Sequence, residues 1–184
     1  YLGTLAIGAS STLTTTLTIP ATLAPGTYTL GAIADYTNRR AETTETNNSL
    51  SATQLVITPG ADLVMTALSG PATATRGTSV VLSSTVTNHG PGSSAGFYVG
   101  LYLSTDPVIT TADRRLGYRW VSSLGAAGTA TASSTASTTV TIPTAVTAGP
   151  YTLGAIADFE IPNRVKESNE TNNALAGSQI TVGP

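Results

Sequence analysis

The sequence predicts an all-β chain built from tandem immunoglobulin-like antiparallel β-sandwich repeats. Its composition favours strands, because 35 Thr and 18 Ser among 184 residues accompany only 10% charged residues, and β-branched side chains are enriched in sheets. Apolar and polar residues alternate with a period of two between Gly-Pro turns, as in strands that bury one face. In addition, a segment near the beginning recurs near the end, which indicates a repeat architecture.

The repeat is collinear over two motifs. The segment TYTLGAIAD at 27–35 recurs as PYTLGAIAD at 150–158. A polar segment then follows each copy, ETTETNN at 42–48 and ESNETNN at 167–173. Because the order of the motifs is the same in both places, the match predicts two structurally related units.

The two units are of unequal completeness. Residues 61–184 correspond to a complete unit, whereas residues 1–58 correspond only to its C-terminal half. Half a sandwich leaves a sheet edge and an apolar face without cover, so we expect strands from another chain or from preceding sequence to complete it. The connection at 58–61 is short and contains Pro59, which predicts a nearly fixed angle between units in an elongated rod.

The complete unit is predicted to form an immunoglobulin-like sandwich from its strands in order. The predicted strands are 63–68, 80–87, 97–103, 116–122, 129–142, 151–158 and 175–182. Their number and spacing fit this fold, while the absence of Cys excludes the antibody-type disulfide. Tyr151, at the start of the sixth strand, occupies the position of a tyrosine corner.

The Thr- and Ser-rich tract at 129–139 has three interpretations. It is an edge strand with outward hydroxyls, a glycosylated mucin-like stretch, or a flat Thr-rich surface for ice or sugar. The alternation of Thr with Ala and Ser favours the plain strand, because Thr has a high β propensity.

Composition and motifs exclude several classes of protein. The only Lys is Lys166, so the chain has no basic cluster for nucleic acid. No apolar run approaches the roughly 20 residues of a membrane span. The only His, His89, lies in an apparent turn without a neighbouring nucleophile, which argues against a catalytic triad. We therefore expect no enzyme activity, no nucleic-acid partner and no membrane span.

The acidic residues fall in two loops. Asp158, Glu167 and Glu170 accompany several Asn residues in the closing loop, and Asp106 and Asp113 bracket a hairpin loop. The favoured interpretation is architectural, because Asp and Asn side chains bind nearby backbone amides in turns. The alternative is a calcium site, since calcium takes carboxylate and amide oxygens in flexible geometry. The two loops are predicted at opposite poles of a unit, so such a site would lie between neighbouring units. No other cofactor is expected.

Four aromatic residues mark a candidate ligand-binding surface. Tyr98 and Tyr102 lie on one predicted strand, and Tyr118 and Trp120 lie on the next. If the four rings are coplanar on one face, they could bind carbohydrate.

The motifs of the complete unit resemble the CARDB family. The resemblance rests on DLV at 62–64, LYLSTD at 101–106, YTLGAIAD at 151–158 and ESNETNN at 167–173. It covers 61–184 and, for the second half of the unit, 1–58. The family is described as a cell-adhesion-related domain of bacteria and archaea with an immunoglobulin-like fold. The resemblance implies a tandem, extracellular and adhesive or structural role, and it supplies no catalytic residues.

Two functions follow from these observations. The first is a non-catalytic structural or adhesive module of a large surface or filament-forming protein, at the cell surface or outside the cell. Its partners would be other copies of itself, head to tail, with strands completing residues 1–58. The alternative is a carbohydrate- or protein-binding accessory module of a secreted enzyme or adhesin.

Overall fold

The computed structural model describes residues 3–20, 23–160 and 162–184, and in this part of the chain it contains strands and no helix. The strands are β1 (Gly26–Ile33), β2 (Ser49–Ile57), β3 (Leu63–Ser69), β4 (Thr73–Thr75), β5 (Ser79–Asn88), β6 (Phe97–Ser104), β7 (Arg114–Val121), β8 (Ser133–Thr141), β9 (Gly149–Ala157) and β10 (Ala174–Gly183). The chain divides into two compact units, Tyr1–Ile57 and Thr58–Pro184.

The second unit is the predicted antiparallel sandwich. One sheet has the strand order β3-β5-β8, and the other has the order β4-β10-β9-β6-β7. Each of the seven predicted strands has its counterpart. The sequence does not predict β4, because its three residues are too few to show an alternation; this strand pairs in parallel with β10.

The strand predicted at 129–142 is shorter than expected. Its ordered part, β8, begins only at Ser133. The preceding residues form a turn, in which the Thr129 amide and hydroxyl both donate to the Ala126 carbonyl, at 3.2 and 2.7 Å. Gly128 supports this turn with a φ of +80°, a conformation that glycine adopts without steric cost.

The edge-strand interpretation is confirmed for the part of the Thr-rich tract from Ser133 onwards, because β8 pairs only with β5 and lies at the edge of its sheet. Its outward hydroxyls form cross-strand hydrogen bonds with β5. Thr135 contacts Thr85 at 2.9 Å, and Ser133 contacts Thr87 at 2.9 Å. Such pairs stabilise neighbouring strands, so the hydroxyl pattern has a structural role on this face.

The hydrophobic core fills the space between the two sheets. Phe97, Val99 and Leu101 project into it from β6 and are fully buried, and Leu82 and Val86 belong to the same cluster from β5. The alternate residues of β6 face away from the other sheet, on a surface that we call the outer face. The alternation therefore decides which aromatic residues reach solvent.

The first unit contains a hairpin of β1 and β2, equivalent to the β9–β10 hairpin of the sandwich. Both hairpins have a register shift at the same place, between Thr29 and Gly31 in β1 and between Ala176 and Gln179 in β10. Within the described residues of this unit, no other strands pair with the hairpin. The domain prediction therefore corresponds to one hairpin, and its completion by further strands stays a prediction.

A tyrosine corner occurs in both units, as predicted for Tyr151. The Tyr151 hydroxyl donates to the Thr147 carbonyl at 3.0 Å, and the Tyr28 hydroxyl donates to the Ala24 carbonyl at 2.9 Å. Because each bond spans only four residues, this feature forms locally in both hairpins.

Candidate functional site

Asp158 organises the beginning of the loop between β9 and β10. It is buried and has a φ of +47°, a conformation that Asp tolerates better than most residues. Its carboxylate accepts hydrogen bonds from the backbone amides of Arg164, at 3.2 Å, and Val165, at 2.7 Å. Burial raises its pKa, and these two amide bonds oppose that shift.

Glu167 joins the same loop to the start of the sandwich. Its carboxylate accepts a hydrogen bond from the Leu63 amide, at the first residue of β3, and one from the Asn173 side chain at 2.6 Å. The neighbouring Ser168 amide donates to the Ala61 carbonyl at 2.9 Å. Burial raises the pKa of Glu167 to about 7, although the bonds from Leu63 and Asn173 favour the ionised form.

Glu170 closes the loop on itself. Its carboxylate accepts hydrogen bonds from the Glu167 amide, at 2.9 Å, and from the Asn163 side chain. The three predicted loop carboxylates therefore all bind amide groups of the loop or of the adjoining β3. This is the architectural interpretation of the motif.

The first unit repeats the local part of this arrangement. The Asp35 carboxylate accepts hydrogen bonds from the amides of Arg39 and Arg40, at 3.0 and 2.6 Å, and these bonds lower its pKa. The Glu42 amide donates to Glu45 at 2.9 Å. Glu42 itself is exposed, whereas its repeat equivalent Glu167 is buried. The Asp-capped part of the loop therefore forms from local sequence in both copies, whereas the contact with β3 is present, among the described residues, only in the second.

The remaining acidic pair shapes the hairpin loop between β6 and β7. Asp106 accepts a hydrogen bond from the Val108 amide at 2.7 Å, and Asp113 accepts one from the Thr110 amide at 2.7 Å. Antiparallel pairing of β6 with β9 places this hairpin at the opposite end of the sheet from the loop that Asp158 begins. The sequence-based expectation of opposite poles is thus confirmed.

The aromatic residues cluster on the outer face, but they are not coplanar. Tyr98 pairs with Trp120 across β6 and β7, and their ring planes are inclined by 60° at a centroid distance of 4.7 Å. The Tyr98 and Tyr118 rings are inclined by 85° at 5.2 Å. Edge-to-face packing is preferred over a flat sandwich because of the ring quadrupoles. The four rings therefore do not form one flat surface, and ligand binding by them stays a prediction.

Tyr102 lies on the same outer face but is 1% exposed. The hairpin loop folds back over it, so that Ile109 and Ile156 form a small second cluster with Tyr102 and with the partly buried Phe159. Burial also raises the pKa of Tyr102. Tyr102 thus packs beneath the loop, whereas Tyr118 and Trp120 reach solvent.

Two arginines and one further aromatic residue complete the cluster, and the sequence analysis missed all three. The Arg115 guanidinium lies 4.9 Å from the Phe159 centroid and 5.9 Å from that of Tyr118. The Arg164 guanidinium lies 5.3 Å from Tyr98 and 5.6 Å from Trp120. One signal was present in the repeat, because Phe159 and Arg164 have the equivalents Tyr36 and Arg39.

Comparisons with known structures find matches to two single domains and to part of one enzyme. The CARDB domain of a Pyrococcus furiosus protein, in complex with di-metal ions, is 20% identical with a TM-score of 0.49, and the match covers 69% of this chain and 97% of that chain. A domain of a candidate cell surface protein from Methanosarcina acetivorans is 24% identical with a TM-score of 0.46, covering 69% and 94%. A β-glucosidase from Listeria innocua is 13% identical with a TM-score of 0.40, covering 67% of this chain and 16% of the enzyme. No curated protein matches the sequence.

The carboxylates in the described part of this chain are not grouped in the way that a metal site requires. Across residues 3–20, 23–160 and 162–184, no three His, Cys, Asp or Glu side chains lie close enough to hold a metal ion. The oxygens of Asp158, Glu167 and Glu170 are instead engaged by amide groups, which an ion would have to displace.

We expect calcium to leave the stability of the protein unchanged. The physical reason is that the loop carboxylates already have hydrogen-bond donors, whereas calcium needs six to eight oxygens. The measurement is thermal unfolding in calcium and in chelator on two complete repeats in tandem, because the site would lie between units, with Asp113→Ala as a second sample. A melting temperature that rises in calcium, and that no longer responds in Asp113→Ala, would contradict this expectation and favour the junction site.

None of the described segments forms a helix long and apolar enough to cross a membrane.

The family follows from a match that spans both units. The CARDB family model matches residues 1–52 and, separately, residues 60–177, a division that parallels the two units of the structure. This chain therefore belongs to the CARDB family.

Proposed function

We propose that this chain is a non-catalytic structural and adhesive repeat module of an extracellular or cell-surface protein, with its units arrayed head to tail. The observation that supports it best is the duplication of one hairpin, with the same tyrosine corner, register shift and Asp-capped loop in both units. The family description as cell-adhesion-related and the cell surface relative point in the same direction.

The apolar side chains of the first hairpin support a contact with further strands. Leu30 is 41% exposed and Ile33 is 65% exposed, whereas their repeat equivalents Leu153 and Ile156 are 0% and 8% exposed. Exposed apolar surface next to an open sheet edge favours association. A contact between one end of a copy and the other end of the next is heterologous and propagates into a filament.

Light scattering and negative-stain electron microscopy on the purified chain test this proposal. We expect particles that lengthen end to end with concentration. Leu30→Asp should prevent this growth, because it places a charge on the apolar face. Thr44→Asp is the matched control, since Thr44 lies in the exposed loop between β1 and β2 and adds the same charge away from both faces of the hairpin. A particle that stays monomeric at every concentration, and is indifferent to Leu30→Asp, would contradict completion by another copy.

Binding to carbohydrate or to a protein is the second candidate function. It is favoured by the exposed aromatic cluster on the outer face, where Trp120 is 49% exposed and Tyr118 is 57% exposed. This function is compatible with the first, because a structural array can present one binding surface in each unit.

A further inference from the structure

We propose that the outer face of β6 and β7 binds acidic polysaccharide, with Trp120 and Tyr118 as the stacking surface and Arg115 as the contact for the anionic group. The inference rests on the proposed adhesive role and names the ligand class for it. The surface formed by Tyr98, Arg115, Tyr118, Trp120, Phe159 and Arg164 is called the aromatic platform below.

Glycine residues let the rings of the platform lie close to the sheet. A Cβ atom on Gly96 would lie 2.3 Å from the Trp120 ring, and one on Gly100 would lie 2.8 Å from the Phe159 ring. Any other residue at these positions would lift the rings away. The backbone thus supports the rings from below and leaves part of Trp120 and Tyr118 open to solvent.

The exposed ring area is large for side chains that are already packed. Trp120 and Tyr118 together leave on the order of 200 Å² accessible, since about half of each side chain is exposed and such rings bury 150–250 Å². This area is smaller than the largest apolar patch of a typical monomer, about 300–600 Å², so the case for a ligand depends on the chemistry of the platform and not on its size. Sugar rings present apolar C–H faces that can pack on such aromatic surface.

Arg115 is the residue of the platform that favours a negatively charged ligand. Arg115 is exposed, and in the described part of the chain its guanidinium contacts rings but forms no salt bridge with a carboxylate. Arg164 is paired with Glu160. A guanidinium held over aromatic rings can bind a carboxylate or sulfate through two parallel hydrogen bonds. A neutral sugar offers this group only hydroxyl acceptors without charge, which bind a guanidinium more weakly than a carboxylate or sulfate does, so the platform favours acidic sugars.

The repeat carries part of the same platform a second time. Tyr36 and Arg39 occupy the positions of Phe159 and Arg164, and Tyr36 is 83% exposed. If every unit of an array carries a platform, a long polysaccharide can contact several units at once. Linked weak sites then bind far more tightly than one alone, which suits an adhesive protein.

The experiment uses the full chain and polygalacturonate as the acidic probe, with neutral dextran and dextran sulfate beside it. The chain contains a single Trp, so intrinsic tryptophan fluorescence reports on the platform directly. We expect polygalacturonate to change this fluorescence and dextran to leave it unchanged. Arg115→Gln and Trp120→Ala should each weaken binding by about tenfold or more in affinity electrophoresis. Arg76→Gln, which removes the same charge outside the platform, should bind like the unchanged protein.

Several outcomes would overturn the proposal. The first is that the chain binds neither polygalacturonate nor dextran sulfate. The second is that it binds dextran as tightly as polygalacturonate. The third is that Arg76→Gln weakens the binding of polygalacturonate as much as Arg115→Gln does. Capture of a protein that Trp120→Ala abolishes, without any polysaccharide binding, would assign the platform to a protein partner instead. Because Arg115 is exposed, its variant should keep the melting temperature, which separates lost binding from lost folding. End-to-end assembly depends on Leu30 and not on Arg115, so failure here leaves the proposed array intact.

Discussion

Leu153→Ala should lower the free energy of unfolding of the second unit by about 3 kcal/mol, whereas Leu30→Ala should change stability by less than about 0.5 kcal/mol. The two residues occupy the same position in the repeat. Leu153 is 0% exposed, lies opposite Leu103 on β6, and its Cδ1 would be 2.6 Å from a Cβ atom on Gly70. Removing the Leu153 side chain leaves a cavity in a tightly packed place, whereas the partly exposed Leu30 side chain buries less apolar surface and its removal leaves no enclosed cavity.

The measurement is denaturant unfolding of both variants and of the unchanged protein in dilute solution, where association is minimal. The comparison is matched, because the substitution and the local hairpin are the same. A loss for Leu30→Ala as large as that for Leu153→Ala would show that the first hairpin is already covered in solution. If Leu30→Ala lowers the free energy of unfolding only at high protein concentration, the first hairpin packs against another copy of the chain, since association stabilises by mass action.

The fold could be predicted because its signals are local and repeated. Alternation in segments such as 80–87 and the turns between them determine the strands, and Tyr151 marks the corner. The short strand β4 could not be found, because three residues carry no period and its pairing with β10 is a tertiary contact. The turn at Thr129 was missed because Thr favours both strands and side-chain-to-backbone turns.

The candidate site was predictable only in part. Tyr98, Tyr118 and Trp120 lie on the outer face because side chains alternate along strands. Tyr102 shares that face, yet the fold-back of Ile109 covers it, and nothing in the spacing predicts a loop's path. The pairing of β6 with β7 has a register shift between Leu101 and Tyr102, and this shift brings Arg115 to the outer face. A strict period of two would have placed Arg115 on the inner face.

Glu167 should make the protein less stable as the pH rises from about 4.5 to about 7. Its pKa in the folded state is about 7, because burial penalises the charge, whereas a carboxyl in the unfolded chain titrates near its ordinary value. The folded state therefore holds this proton more tightly than the unfolded state. The contribution to stability is fully present below pH 4.5, is lost progressively up to pH 7, and stays lost above it.

The expected size of this loss is about 3–4 kcal/mol, since the pKa rises from 4.5 to about 7 and each pKa unit corresponds to about 1.4 kcal/mol. Glu167→Gln should remove that part of the pH dependence, because the amide is neutral throughout and its oxygen can still accept the bond from the Leu63 amide. Asp158 has a raised pKa as well, and its charge contributes to the raised pKa of Glu167. The difference between the two proteins therefore includes this coupling.

Urea unfolding at a series of pH values between 4 and 8 measures this difference, and Glu42→Gln is the matched control. Glu42 occupies the same position in the repeat but is exposed and has no β3-like strand against it in the described chain, so its variant should follow the unchanged protein. Identical pH profiles for Glu167→Gln and the unchanged protein would contradict the raised pKa. If Glu42→Gln also flattens the profile in concentrated protein, Glu42 is buried on association, and the first hairpin gains there the contact that Glu167 makes with Leu63.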